Sequence, residues 1–267
     1  MKFRILFIIF NLVILASFVL IFLMPAIVLG WQYTSVFWST NWPVAAVFLL
    51  VLGALNGYFV YNWKVFSLLE QERWDDLIDH LEQEAFERKR LTRQRARILV
   101  NAYVVTGRVD RIRRLEQFLR DEKPSMVPRL AIELGVPYLL SQQADEMIAY
   151  FGEVKRMDGV GDPHWVRWSY AFALMTDGRF DEAREELMAV LSASRDPVLQ
   201  ALTAHMLEPF GSQNDEVAAV VEETRTRLRD RYTRERFDRE LERQRQNLEV
   251  LFLTSRIQEA RDWVFQS

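Results

Sequence analysis

Hydrophobic and polar positions divide this chain sharply. From Ile5 to Gly30, and again from Val44 to Tyr61, there is no Lys, Arg, Asp or Glu, whereas after Lys64 apolar residues recur at helical spacing among charged ones. A helix that crosses a bilayer core needs about 20 apolar residues, because every backbone amide must be satisfied within the segment. Both charge-free runs meet that length, which predicts membrane helices at about 5–30 and 43–63. A cleaved signal peptide also opens on basic residues, here Lys2 and Arg4, but its apolar run is only about 7 to 15 residues and ends in small ones. Leu23-Met24-Pro25-Ala26 is a poor match to such a site, so the first run reads as a retained helix.

Basic residues near helix ends stay on the cytoplasmic side. Lys2 and Arg4 precede the first run, Lys64 follows the second, and residues 31–42 between them carry no charge. The expected hairpin therefore has both ends in the cytoplasm, with Trp31, Tyr33, Trp38 and Trp42 as an outer aromatic belt and Tyr58, Tyr61 and Trp63 as the inner one. Asn11 and Asn56 lie at matching depths, where a cross-helix amide bond worth about 1 kcal/mol or less would fix the register. Gly53 and Gly57 give a GxxxG spacing that permits close helix approach and admits self-association.

Beyond Lys64 the helical pattern is interrupted at regular intervals. DGRFDEAREEL begins at Asp177, and TGRVDRIRRLE stands 71 residues earlier. Halfway between their glycines, Gln142 opens QADEMIAYF, and 35 residues before Gly107, Glu72 opens ERWDDLIDHL. A unit of 35 or 36 residues aligns Trp74, Leu77 and Leu81 with Val109, Ile112 and Leu119. The same alignment adds Ala144, Met147, Phe151 and Val154, then Phe180, Ala183, Leu187 and Val190. The preceding helices align Leu99 and Tyr103 with Leu134, Gly135 and Tyr138, then Tyr170, Ala171 and Leu174; Pro124, Pro163 and Pro197 mark unit ends. A lone helix pair cannot bury its apolar stripe, so copies stack.

The Leu134-Gly135-x-x-Tyr138 and Gly178-x-Phe180-x-x-Ala183 spacings resemble the tetratricopeptide repeat family over roughly residues 64–197. No unit has that family's first-position tryptophan and Pro137 falls within a helix, so related helical-pair solenoids share the reading. The expected fold is all-α: a two-helix transmembrane hairpin (1–63), a tetratricopeptide-like solenoid (64–213), and a long charged helix with a C-terminal cap (214–267). Residues 222–246 alternate Arg with acidic residues, as on an exposed helix laced with ion pairs, while the apolar stripe changes phase before Phe237.

Candidate chemistry is sparse. There is no cysteine, and His80, His164 and His205 fall in different units without a second ligand at metal spacing, so neither a metal site nor a cofactor is expected. Gly159-Val160-Gly161-Asp162 lacks the strand and the Gly-Lys-Ser/Thr ending of a phosphate loop. No nucleophile has a base nearby, so no enzyme activity is expected. Charge is uneven: residues 87–120 hold eleven basic and three acidic side chains, and residues 121–197 hold eight and fourteen. The basic block 88–114 suits anionic lipid headgroups or a solvated face neutralised by its acidic neighbours, and it lacks the interleaved aromatics of a nucleic-acid surface.

The tetratricopeptide resemblance implies a groove that receives a protein partner, formed here by Arg97, Asn101, Arg129, Trp165, Trp168 and Phe172. Arg97 and Asn101 match two members of that family's carboxylate clamp, while Glu133 and Trp165 stand where the clamp has Asn and Lys. The function expected is a membrane-anchored adaptor of the bacterial inner membrane, a scaffold or assembly factor for a secretion, flagellar or cell-wall complex. The alternative is an accessory subunit or enzyme of a membrane pathway, because two membrane helices before such repeats is an architecture similar to that of the HemY family.

Overall fold

The computed structural model describes residues 2–245 and 247–266, which form fourteen α-helices and no strand. The side chains of Lys2, Arg4, Trp31 and Tyr33, on which the expected orientation and half of the outer aromatic belt rest, lie outside the described residues, as does Ser267. The chain divides into two compact units, Met1–Leu77 and Ile78–Ser267.

In the first unit α1 (Lys2–Leu29) and α2 (Trp31–Glu70) meet at Gly30 and pack on each other. Residues 31–42, expected to link two spans, instead belong to a continuous 40-residue α2 that contains Pro43. Pro43 removes one helical N–H. Just before it, Ser39 and Thr40 donate back to the Val36 carbonyl at 2.8 and 3.1 Å and Asn41 donates to that of Phe37 at 3.0 Å, which keeps the polar side chains satisfied within the helix. Aromatic rings join the helices: Phe7 stacks on Phe59 with centroids 3.7 Å apart, and Phe18 on Phe48 at 4.6 Å. The opposite faces are bare. Ile27 is 81 % exposed and Leu50 and Val60 are each 71 % exposed, and both helices are long and apolar enough to cross a membrane.

The second unit is built of shorter helices. It opens within α3 (Trp74–Glu82), which runs into a π-turn, and α4 (Arg93–Val105) and α5 (Asp110–Glu122) follow. Next come α6 (Ala131–Ser141) and α7 (Ala144–Val154), α8 (Pro163–Thr176) and α9 (Phe180–Ala193), then α10 (Pro197–Leu207) and α11 (Asp215–Arg231). Each helix from α5 to α11 packs on the next. Most of the aligned apolar positions are buried, among them Leu99, Tyr103, Ile112, Leu119, Leu134, Phe151, Leu174, Ala183 and Leu187. Phe180 departs from that pattern and is 54 % exposed. At Gly135 a Cβ would lie 2.6 Å from the Phe151 ring, so α6 and α7 approach as closely as they do because that side chain is absent.

The turns repeat as the helices do. Glu72, Gly107, Gln142 and Gly178 all have positive φ, at 53°, 70°, 53° and 79°, spaced 35, 35 and 36 residues apart. At three of them the same C-cap recurs: Arg73, Arg108 and Arg179 donate their N–H to the carbonyls of Leu68, Tyr103 and Leu174, five residues back. This bond satisfies a carbonyl orphaned at the helix end and needs a left-handed residue just before it. Gly178→Ala meets no atom within 4 Å, so its expected cost of about 1 kcal/mol is backbone strain alone. Gln142→Gly should be neutral or stabilising, and chemical denaturation of the two variants checks the contrast.

Polar ladders follow the same period. Tyr103 donates to Glu82 and Tyr138 to Glu116, each at 2.7 Å. Lys89 pairs with Glu122, Arg113 with Glu146 and Arg120 with Glu153, each across 33 residues, and Lys155 pairs with Glu186 across 31. Within the basic block 88–114, Lys89, Arg97 and Arg113 meet acidic residues further along the chain, and Arg95 and Arg111 meet Glu84 and Glu82 before it.

The C-terminal segment folds back on this array. The long charged helix expected over 222–246 is interrupted: α11 ends at Arg231, and Thr233 caps α12 (Arg234–Gln244) by accepting from the Arg236 N–H. After α13 (Leu248–Phe252), α14 (Thr254–Phe265) packs on α10, α11 and α12. Arg225 and Arg229 of α11 donate to the Trp263 and Val264 carbonyls, satisfying orphan acceptors at the end of α14.

Candidate functional site

The six groove residues occupy α4, the short turn before α6, and α8. Arg97 and Asn101 are one turn apart on α4. The Arg97 guanidinium is already engaged by Glu133 of α6 at 2.5 Å. A chain-terminal carboxylate would have to displace Glu133, so the clamp chemistry implied by the resemblance is blocked internally. Arg129 is exposed in the turn Pro128–Leu130.

The aromatic residues are core. Trp168 is fully buried and Trp165 is 6 % exposed, their rings edge to face at 6.0 Å, and Trp168 stacks on Phe172 at 5.6 Å with planes 3° apart. The Trp168 Nε1–H is buried without a hydrogen-bond partner. Phe172 is half-buried, with the Arg256 guanidinium of α14 over its ring at 5.3 Å. The two tryptophans are therefore not a docking surface for a partner. The C-terminal segment reaches this region, which the sequence reading left open.

What remains is a polar pocket of about 360 Å3 where α13 meets α6. Arg97 and Asn101 come from α4, Ile132 and Glu133 from α6, Asp162 from the residue before α8, and Asn247, Leu248 and Glu249 from the α13 entry. Asn101 Oδ1 is buried there with no donor. Leu248 and Val250 are 7 % and 1 % exposed, and burying them carries Glu249 into the pocket. Burial pushes the Glu249 carboxyl up to about 7; Asp162 and Glu133 push the same way, while its backbone hydrogen bond and Arg97 oppose them. A carboxylic acid that titrates near neutrality is the most perturbed acid of this site. Sequence reading missed Glu133, Asp162 and Glu249 as a set. The available signal was Glu249 itself, a lone acid inside Leu248-Glu249-Val250-Leu251-Phe252.

In the hairpin, Asn56 Nδ2 donates to Asn11 Oδ1 at 2.7 Å, and each amide also donates to its own helix, at Leu52 and Phe7. Gly53 and Gly57 have no atom within 4 Å of a built Cβ, so they take no part in packing α1 on α2. Among the described residues no group of three His, Asp or Glu is placed to hold a metal ion.

A family model described as "Uncharacterised Treponema protein" matches residues 111–266. The chain belongs to this family. The match opens in α5 and runs through α14, so it includes α13 and Glu249. A protein of Treponema pallidum (strain Nichols), described as "Uncharacterized protein", is 26 % identical over 281 residues, covering 99 % of this chain and 88 % of its own. That alignment takes in the two N-terminal helices as well. No solved structure matches the chain.

Proposed function

We propose that this protein is a membrane-anchored, tetratricopeptide-like adaptor whose protein-binding face is held closed by its own C-terminal segment. The anchor reading rests on α1 and α2, whose outward side chains are apolar and exposed, a face that water disfavours and a bilayer accepts. The repeat reading is supported by the left-handed turns at 72, 107, 142 and 178 and by ion pairs that step along the chain at similar intervals. Anchoring would concentrate such a face near membrane partners. The role proposed is scaffold or assembly factor for an envelope complex of the inner membrane, with the second unit in the cytoplasm.

The single observation that carries the binding reading is the seating of α13. A five-residue helix buries two apolar side chains beside a polar pocket whose Asn101 oxygen stays unsatisfied. A helix so short has little stability of its own, so its position depends on tertiary contacts that a competitor can replace. The test compares crosslinked partner captured from membranes by the full chain and by Leu248→Asp/Val250→Asp, which undocks α13. Capture should rise several-fold in the variant, with the chain retained in the membrane after alkaline washing. Equal or lower capture overturns the closed-face reading, and release of the chain by the wash overturns the anchor.

A further inference from the structure

A second concavity, of about 380 Å3, lies between the residues entering α10 and the last turn of α11. Pro197 and Leu228, both buried, line it along with the Gln200 amide, which is fixed by donation to the Ser194 carbonyl at 2.6 Å. Arg195, Arg227 and Arg231 also line it, and no carboxylate does.

Most arginines of the fold meet a carboxylate or a backbone carbonyl; two of these three do not, a state they share with Arg88, Arg90 and Arg129. Among the described residues Arg195 and Arg231 have no ion pair and no hydrogen bond; Arg231 only lies over the Tyr232 ring, at 5.7 Å. Arg227 reaches Glu223 at 3.8 Å and donates to Thr224 at 3.3 Å. The carboxylate next in sequence to Arg195, that of Asp196, is held away by two bonds. It accepts from the Val198 N–H at 2.9 Å and from Gln244 at 3.0 Å. Because Asp196 occupies that first amide of α10, the positive charge of the lining comes from the three arginines and not from the helix end.

A cation in the last turn of α11 complements its dipole, which accounts for Arg231 but not for Arg227, one turn earlier, or for Arg195 on another element. Three like charges in one small concavity repel, and an anion relieves that repulsion. Guanidinium forks match carboxylate and phosphate oxygens in bidentate fashion. A planar carboxylate fills one fork, whereas a tetrahedral dianion offers oxygens to forks that come from two directions. We propose that this pocket is a binding site for a phosphate dianion, carried by a small phosphomonoester or by the headgroup of a phosphatidic-acid-type lipid. It lies apart from the α13 pocket and does not depend on the adaptor reading.

The test titrates the full chain in nonionic detergent with inorganic phosphate at pH 7.5 in a chloride buffer, read by calorimetry. A parallel arm measures binding to nanodiscs of phosphatidylcholine with and without phosphatidic acid. A saturable one-to-one heat is expected, weakened about tenfold or more in Arg195→Gln/Arg231→Gln, because each charge-assisted bond contributes at least that factor. Arg195 contacts no other side chain and Arg231 only the Tyr232 ring and the α11 dipole, so the thermal midpoint of the variant should fall only slightly. Binding to phosphatidic acid discs alone, lost in the variant, assigns the lipid source; binding of free phosphate assigns the small-molecule source. No saturable binding in either arm, or equal affinity in the variant, overturns the proposal.

Discussion

Trp168→Ala is expected to destabilise the second unit by about 3 to 5 kcal/mol, the range for deleting a fully buried aromatic side chain. The ring has no exposed surface, stacks on Phe172 and meets Trp165 edge on, so its removal leaves a cavity bounded by two more rings. Against a total stability of about 5 to 15 kcal/mol, that is enough to lower the denaturation midpoint strongly. Trp168→Phe separates the two contributions of this residue. It keeps a stacked ring and removes an indole N–H that has no partner, so it should cost much less. Urea denaturation of the full chain in detergent, followed by circular dichroism, measures both. An alanine variant with an unchanged midpoint and undiminished helix would show that the ring is not core.

The same residue shows what the sequence could and could not convey. Trp165, Trp168 and Phe172 follow a helical stripe, and a stripe states that a face is covered without stating what covers it. Here the cover includes Arg256, more than eighty residues downstream, and no local pattern encodes that meeting. The recurrence of the turns was legible because each must solve the same local problem: Gly107 and Gly178 mark the left-handed turn residue openly, and the 35-residue step then locates Gln142 and Glu72, which adopt that conformation without being glycine. The charge-free runs were legible for a similar reason, since a missing charge is a local property. The helical state of residues 31–42 was not, because Pro43 and the six polar residues before it read as a boundary until Ser39, Thr40 and Asn41 are seen bonding back to their own helix. The break between α11 and α12 lay in Thr233, a cap masked by the unbroken run of charges around it.

Glu249→Gln should stabilise the docked C-terminal segment increasingly as pH rises above about 4.5, with the full effect at neutral pH and above. Burial, with Asp162 and Glu133 beside it, raises the Glu249 carboxyl to about 7 from an ordinary value of 4.5, with Arg97 opposing. Between those two values the folded chain binds more protons than the unfolded one, so stability falls as pH rises. The neutral acid supports docking fully below about pH 4.5, and that support is lost as pH rises through about 7. The full shift corresponds to about 3 kcal/mol, reduced to about 2 by the water that still reaches this half-buried side chain. Glutamine keeps the shape and removes the proton equilibrium. Wild type and variant should therefore match at pH 4 and diverge by about 2 kcal/mol at pH 8, with the variant more stable. Protection of the amides across 247–252, taken relative to the intrinsic exchange rate at each pH, should fall in the wild type over the same interval and stay level in the variant. Parallel stability curves for the two proteins would mean that Glu249 is not buried beside Glu133 and Asp162, and the proposed closed face would lose its pH-sensitive contact.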